Sequence, residues 1–250
     1  MQGLKLWLVR LAFALPPLLA AGYIAGTQIP GSVLWPWRPG MIDLEVYRRT
    51  GTLLLAGQDF FNAEGLPWIY PAFAALFTVP FAVVPFELAA IIWLALCVAA
   101  LAAVLYRLGL AGWRLSLATT LCILLVEPVA ETLGFGQLAI FLVAAAVLDS
   151  MPGPRVLRRR IAPEGWLVGV ATAVKLTPAV VAAYNFFAGR RKPGLTAFAA
   201  FLAATALGFL LLPAASIHYW GKLLAGDTGL NSGIVYATNQ SVLGVWNRVL

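Results

Sequence analysis

The chain has 250 residues, 62% of them hydrophobic and only 11% charged, with a mean hydropathy of +0.89. That leaves too little polar surface to cover a soluble globule of 26.7 kDa and points to an integral membrane protein. The net charge of +7 does not imply nucleic acid, because the basic residues cluster beside apolar runs: Arg155 with Arg158, Arg159 and Arg160, and Arg190, Arg191 with Lys192. Such clusters read as positive-inside topology signals and contacts for membrane lipid headgroups.

A bilayer core about 30 Å thick takes roughly 20 apolar residues of helix. Runs at 6–25, 69–84, 88–108, 115–126, 137–148, 165–187 and 195–212 approach or reach that length. They contain Gly and Pro and lack the alternation of strands, so the predicted fold class is all-α, polytopic, with 1–250 as a single transmembrane domain. The first run begins near Lys5 and Arg10, is too long for a signal peptide and has no small-residue cleavage site after Ala25. It is predicted to be a retained span with a cytoplasmic N-terminus, which makes 27–68 the first outer loop and 213–250 the second.

Within the first outer loop, Pro39-Gly40 breaks the chain before Asp43-Leu44-Glu45-Val46-Tyr47-Arg48-Arg49. The apolar positions Leu44, Val46, Tyr47, Leu53, Leu54 and Leu55 predict a short helix lying along the membrane surface. Asp43 and Tyr47 share one face of it, four residues apart, and Glu45 points elsewhere. Asp43 either caps this helix or, partly desolvated above an apolar surface, serves as a proton acceptor.

Further on, Glu127-Pro128 and Gly134-Phe135-Gly136 interrupt the middle of the chain. Seven single crossings would put Arg155 to Arg160 outside, against the charge rule. The alternative joins 115–126 and 137–148 into one broken span and obliges the stretch holding Lys175-Leu176-Thr177-Pro178 to re-enter. Lys175 sits inside an apolar run, where an unpaired ammonium costs at least about 2.5 kcal/mol. It either snorkels or takes an anionic partner, for which Glu127, Glu131 and a ligand phosphate are the candidates. Gln137 either caps a half-helix or binds a sugar hydroxyl. Asn239-Gln240-Ser241 reads as a glycosylation sequon or as a polar outer loop folding over a site. Cys97 and Cys122 fall in apolar runs as small hydrophobes, and His218 alone builds no metal site.

An acidic, tyrosine-containing loop after the first span, followed by Tyr70-Pro71, resembles the GT-C superfamily of polyprenyl-phosphate-sugar-dependent glycosyltransferases. More narrowly, Asp43 to Tyr47 with Thr50-Gly51, Gly136-Gln137, Lys175 to Pro178, and Asn239-Gln240-Ser241 with Arg248 resembles glycosyltransferase family eighty-seven. The resemblance implies a GT-C-type helix bundle that moves mannose from polyprenyl-phosphate-mannose, a lipid-linked donor, to a hydroxyl of a glycolipid acceptor on the outer membrane face, inverting the anomeric carbon. Asp43 would be the general base, with Lys175, Arg48 and Arg49 holding the donor phosphate. Glu45, Tyr47, Tyr70, Gln137, Asn239, Gln240 and Arg248 are the substrate-binding candidates, and no metal or other cofactor is expected. Family members are usually longer, so the chain is expected to be the N-terminal part of a longer module, and His218 does not stand where a partner for the base would be. The competing functions are a transporter or lipid flippase, against which no inverted repeat is visible, and a non-catalytic membrane subunit.

Overall fold

A computed structural model describes residues 2–157, 159–227 and 242–249. Its elements are helical in chain order: α1 (Gln2–Ala25), α2 (Ile42–Leu55), α3 (Ala72–Ala75), a 3-10 turn (Leu76–Thr78), α4 (Val79–Ala82), α5 (Phe86–Arg107), α6 (Gly112–Leu125), α7 (Glu127–Phe135), α8 (Ala139–Ser150), α9 (Trp166–Val174), α10 (Ala179–Phe187), α11 (Arg191–Leu211), α12 (Pro213–Leu224) and α13 (Val242–Val249). Among the described residues, the only strand-like pairing is one isolated bridge between Val33 and Arg38. The chain is an all-α membrane protein.

Among the described residues, α5 and α11 are long and apolar enough to cross a membrane, and α6 with α7 makes a third crossing if the pair is one span. That pair bends by 80° where Val126 turns extended, and Pro128 stands in the first turn of α7, where a missing N–H leaves no helical bond unmade. The apolar run at 165–187 is a hairpin of two nine-residue helices, α9 and α10. Lys175 is extended at its tip, and Pro178 disfavours helix in the residue before it.

Polar contacts hold the two ends of this hairpin together. Asp149, at the end of α8 and 3% exposed, pairs with Arg160 at 3.1 Å and accepts from the Val168 N–H at 3.2 Å, in the first turn of α9. Asn185, near the end of α10, donates to Ser150 Oγ at 3.2 Å and accepts from Arg190 at 2.9 Å. Arg190 also reaches the Ser150 carbonyl at 3.0 Å and pairs with Glu164. The last residue of α5, Arg107, donates to the carbonyls of Met151, Gly153 and Pro154 close by. The C-terminus of α5 and the N-terminus of α11 therefore share one basic end of the molecule. The Lys175 stretch turns back as a hairpin, with Arg160 and Arg190 at its base.

The opposite end carries α2, α3 and α12. There α2 lies against α4 so closely that a Cβ on Gly51 would come within 2.9 Å of Ala82 Cβ and of the Thr78 carbonyl oxygen. The main core runs beneath α2 and joins Met41, Leu44 and Tyr47 to Trp93, Leu94, Ile123 and Leu133.

Candidate active site

The sequence of α2 sets the site. Its inward positions Leu44, Val46, Tyr47, Thr50 and Gly51 are buried, Asp43 is half-buried and Glu45 is exposed. Asp43 is not the cap: the helix starts at Ile42, and Met41 precedes it with no side-chain capping bond.

Tyr47 is 3% exposed and lies in an aromatic nest, with ring centres 5.5 Å from Trp93, 5.9 Å from Tyr70 and 6.0 Å from Trp68. The pairs with Trp68 and Tyr70 are edge-on and that with Trp93 is tilted; aromatic pairs each contribute about 0.5–1.5 kcal/mol beyond the area they bury, which helps fix the face that carries Asp43. The hydroxyls of Tyr47 and Tyr70 lie 3.3 Å apart. Burial first, then Tyr70 and Asp43, hold the Tyr47 phenol well above its ordinary 10.0, so it remains a neutral hydroxyl.

Asp43 meets two side chains from distant parts of the chain. The Gln137 side chain and the Lys175 ammonium lie near enough to the carboxyl to influence it, Gln137 through hydrogen bonding and Lys175 electrostatically. Burial raises the Asp43 carboxyl above the ordinary 3.8, and those two partners offset part of the rise. The carboxyl is thus more basic than a solvated one.

The Gly134-Phe135-Gly136 turn puts Gln137 there. Gly136 closes α7 at φ +73, in the left-handed region, and a Cβ on it would come within 2.9 Å of Leu44 Cβ. Only glycine lets α7 end against α2. Gln137 does not cap the next helix, whose N-cap is Leu138 without a side-chain bond.

Lys175 reaches Asp43 from the tip of the α9–α10 hairpin, and its Nζ lies 5.3 Å from the centre of the Tyr70 ring. The Asp43 carboxylate acts on its charge from a distance, without forming an ion pair, while Glu127 and Glu131 are exposed. Arg48 and Arg49, read from sequence as phosphate holders, are engaged by backbone. Arg48 donates to the Phe81 carbonyl at 2.9 Å and the Val84 carbonyl at 2.6 Å over the face of Phe86, and Arg49 donates to the Leu66 carbonyl. Arg248 stands on α13, and Asn239 and Gln240 lie outside the described residues. Trp68 and Trp93, which wall the nest, were not expected from sequence; Pro67-Trp68 beside Tyr70 was the available signal.

Among the described residues, no three His, Cys, Asp or Glu side chains converge as a metal site would require. A family model, glycosyltransferase family 87, matches residues 68–249. The chain belongs to that family. A relative from Mycobacterium tuberculosis strain CDC 1551 is 33% identical over 90% of the chain and 54% of its own length; its name is polyprenol-phosphate-mannose-dependent alpha-(1-2)-phosphatidylinositol pentamannoside mannosyltransferase. Two polyprenol-phosphate-mannose-dependent alpha-(1-2)-phosphatidylinositol mannoside mannosyltransferases are also similar. The one from M. tuberculosis strain H37Rv is 28% identical over 92% of the chain and 58% of its own length. The one from Mycolicibacterium smegmatis is 29% identical over 87% and 56%. The chain thus spans little more than half the length of the curated relatives it matches. No solved structure matches it.

Proposed function

We propose that this family 87 chain carries the base-bearing part of an inverting mannosyltransferase, which moves mannose from polyprenyl-phosphate-mannose to a hydroxyl of a lipid-linked mannoside at the outer membrane face. The observation that carries this reading is the half-buried Asp43 carboxyl on the inward face of α2, made more basic by burial and acted on by Gln137 and Lys175. The names of the relatives support the donor and the class of acceptor.

In the proposed step the acceptor hydroxyl gives its proton to Asp43 as its oxygen bonds the anomeric carbon. The bond from that carbon to the phosphate oxygen breaks, and its electron pair leaves with polyprenyl phosphate. A β-linked donor then yields an α-linked product in one displacement. Lys175 stabilises the charge that develops on the phosphate, an effect strengthened where water is excluded. Tyr47 and Tyr70 serve as neutral hydroxyls toward the sugar, and the step as written draws on no metal. Arg48 and Arg49 hold α2 to its neighbours and leave the phosphate to Lys175. The outer-face placement is supported by charge: with both basic clusters in the cytoplasm, the end bearing Asp43 faces outward.

The test is transfer of label from radiolabelled polyprenyl-phosphate-mannose to a glycolipid extract by the purified protein, followed by digestion of the product with an α-specific mannosidase. Release of the label supports inversion. A product resistant to that enzyme but cut by a β-specific one would overturn it.

A further inference from the structure

The basic end of the molecule holds a cavity of about 210 Å³, walled by the end of α5, the end of α8 and the chain 155–163 that leads to α9. Four arginines line it, Arg107, Arg155, Arg159 and Arg160, against one carboxylate, Asp149. Arg160 is already divided between Asp149 and Glu164. The other three pair with no carboxylate, and all 10 acidic side chains of the chain belong to described residues, so none is left elsewhere to neutralise them.

Arg107 makes the imbalance costly. It is 9% exposed at the last residue of a membrane-crossing helix, and it donates to carbonyls, those of Met151, Gly153 and Pro154. Gly153 sits at φ +140 against the Arg107 carbonyl, where a Cβ would clash, so the turn wraps tightly around this arginine. The carbonyls satisfy its N–H groups and leave its net charge standing. A buried charge is stable when an opposite one stands beside it, and here the chain supplies none.

The same cavity has an apolar side. Val156, Leu157 and Ile161 lie on its lining and are 55%, 55% and 84% exposed, next in sequence to Arg155 and Arg160. At the end of a 22-residue span, this is the depth of the lipid headgroups and of the first methylenes beneath them. Arginines interspersed with large aliphatic side chains suit that boundary, with the guanidiniums toward headgroups and the aliphatic groups toward hydrocarbon. A soluble anion would match the charges and leave the three aliphatic side chains in water. An anionic phospholipid matches both.

We propose that this cavity is a site for one anionic phospholipid of the leaflet at this end, its phosphate among Arg107, Arg155 and Arg159 and its upper acyl chain against Val156, Leu157 and Ile161. Asp149 and Leu167 border the same cavity, so the lipid also braces the base of the hairpin whose tip carries Lys175. The site lies at the end opposite Asp43 and does not depend on the function proposed above.

The test is retention of radiolabelled dioleoylphosphatidylglycerol, and separately of dioleoylphosphatidylcholine, by the protein purified in a neutral detergent. Two double variants are compared with wild type. Arg155→Gln with Arg159→Gln alters the cavity, and Arg191→Gln with Lys192→Gln removes the same charge from exposed positions at the same end, off the lining. Arg107 is left in place because its bonds hold the turn. Wild type and the 191/192 variant should retain phosphatidylglycerol at least about tenfold better than phosphatidylcholine, and the 155/159 variant should lose that preference. Phosphatidylglycerol should also raise the thermal midpoint of wild type and leave that of the 155/159 variant unchanged. Equal retention of phosphatidylglycerol by wild type and the 155/159 variant would overturn the site. Equal loss by both double variants would overturn it too, by reducing the preference to a general attraction of the basic end. Displacement of the lipid by glycerol phosphate would assign the cavity to soluble phosphate esters and overturn the lipid.

Discussion

Lys175 Nζ stands 5.3 Å from the centre of the Tyr70 ring, which ties the tip of one hairpin to the chain that enters α3. The ring face favours the ammonium by about 0.5–2 kcal/mol and leaves its N–H groups free to turn toward an anion. Lys175→Met should therefore lower the initial rate of labelled mannose transfer by at least about a hundredfold, as removal of a charge that stabilises a leaving group does. Tyr70→Phe keeps the ring face and loses the hydroxyl that meets Tyr47 and serves the sugar, neutral hydrogen bonds both, so its rate should fall less than that of Lys175→Met, by about tenfold.

The pH dependence has a definite sign. Burial raises the Asp43 carboxyl above 3.8, and Gln137 and Lys175 lower it part of the way back. A base must be ionised, so the acid limb of the rate profile is expected above 3.8, and Gln137→Leu should move it to higher pH. For stability, a raised folded-state value means that the contribution of the neutral carboxyl is complete below about 3.8 and is lost as pH rises through the raised value. Asp43→Asn, neutral throughout, should accordingly gain on wild type across that window in thermal denaturation. A limb that Gln137→Leu leaves unmoved would contradict the contact.

Gly136→Ala places a Cβ at φ +73, within 2.9 Å of Leu44 Cβ. The left-handed conformation alone costs about 1–2 kcal/mol for a residue with a Cβ, and the contact with α2 adds to it. A fall in thermal midpoint accompanied by lost transfer is expected. Gly57→Ala, also at positive φ but with open space around it, should lower the midpoint with little effect on transfer.

Much of this arrangement is legible in the sequence. The apolar runs give an all-α membrane protein, the spacing of Asp43 and Tyr47 puts both on the site face of α2, and the order of the short motifs points to family 87. A lysine inside an apolar run calls for an anion, and the nearest acidic influence on Lys175 is the Asp43 carboxyl. Local pattern does not reveal that influence, because the bend at Val126 leaves Glu127 and Glu131 exposed while Asp43 comes from a segment far away in the chain. The run at 165–187 has the length of a span, and hydropathy measures length and not whether the chain turns at Lys175. The hairpin depends on Asp149, Asn185 and Arg190 meeting at its base, contacts between segments that no local pattern announces. Arg48 and Arg49 look like phosphate ligands in sequence, and the structure shows their guanidiniums donating to backbone carbonyls, Phe81 and Val84 at the end of the short helices for Arg48 and Leu66 in the loop before them for Arg49.

Those base contacts make the next prediction. Asp149 is buried, paired with Arg160 and bonded to the start of α9, and Arg160 retains Glu164 when Asp149 is removed. Asp149→Ala should destabilise the protein by about 3 kcal/mol, toward the lower end for a broken buried pair. Because the hairpin tip carries Lys175, transfer should decline along with the thermal midpoint. An unchanged midpoint would show that the hairpin is held by its apolar packing alone.

The central claim is that Asp43 takes the proton from the acceptor hydroxyl. The most direct measurement compares wild type and Asp43→Asn for transfer of radiolabelled mannose from polyprenyl-phosphate-mannose to a glycolipid extract, with retention of polyprenyl phosphate measured on the same preparations. Loss of transfer by at least about a hundredfold with phosphate retention within twofold of wild type is the predicted result. Transfer by Asp43→Asn at the wild-type rate would contradict the account.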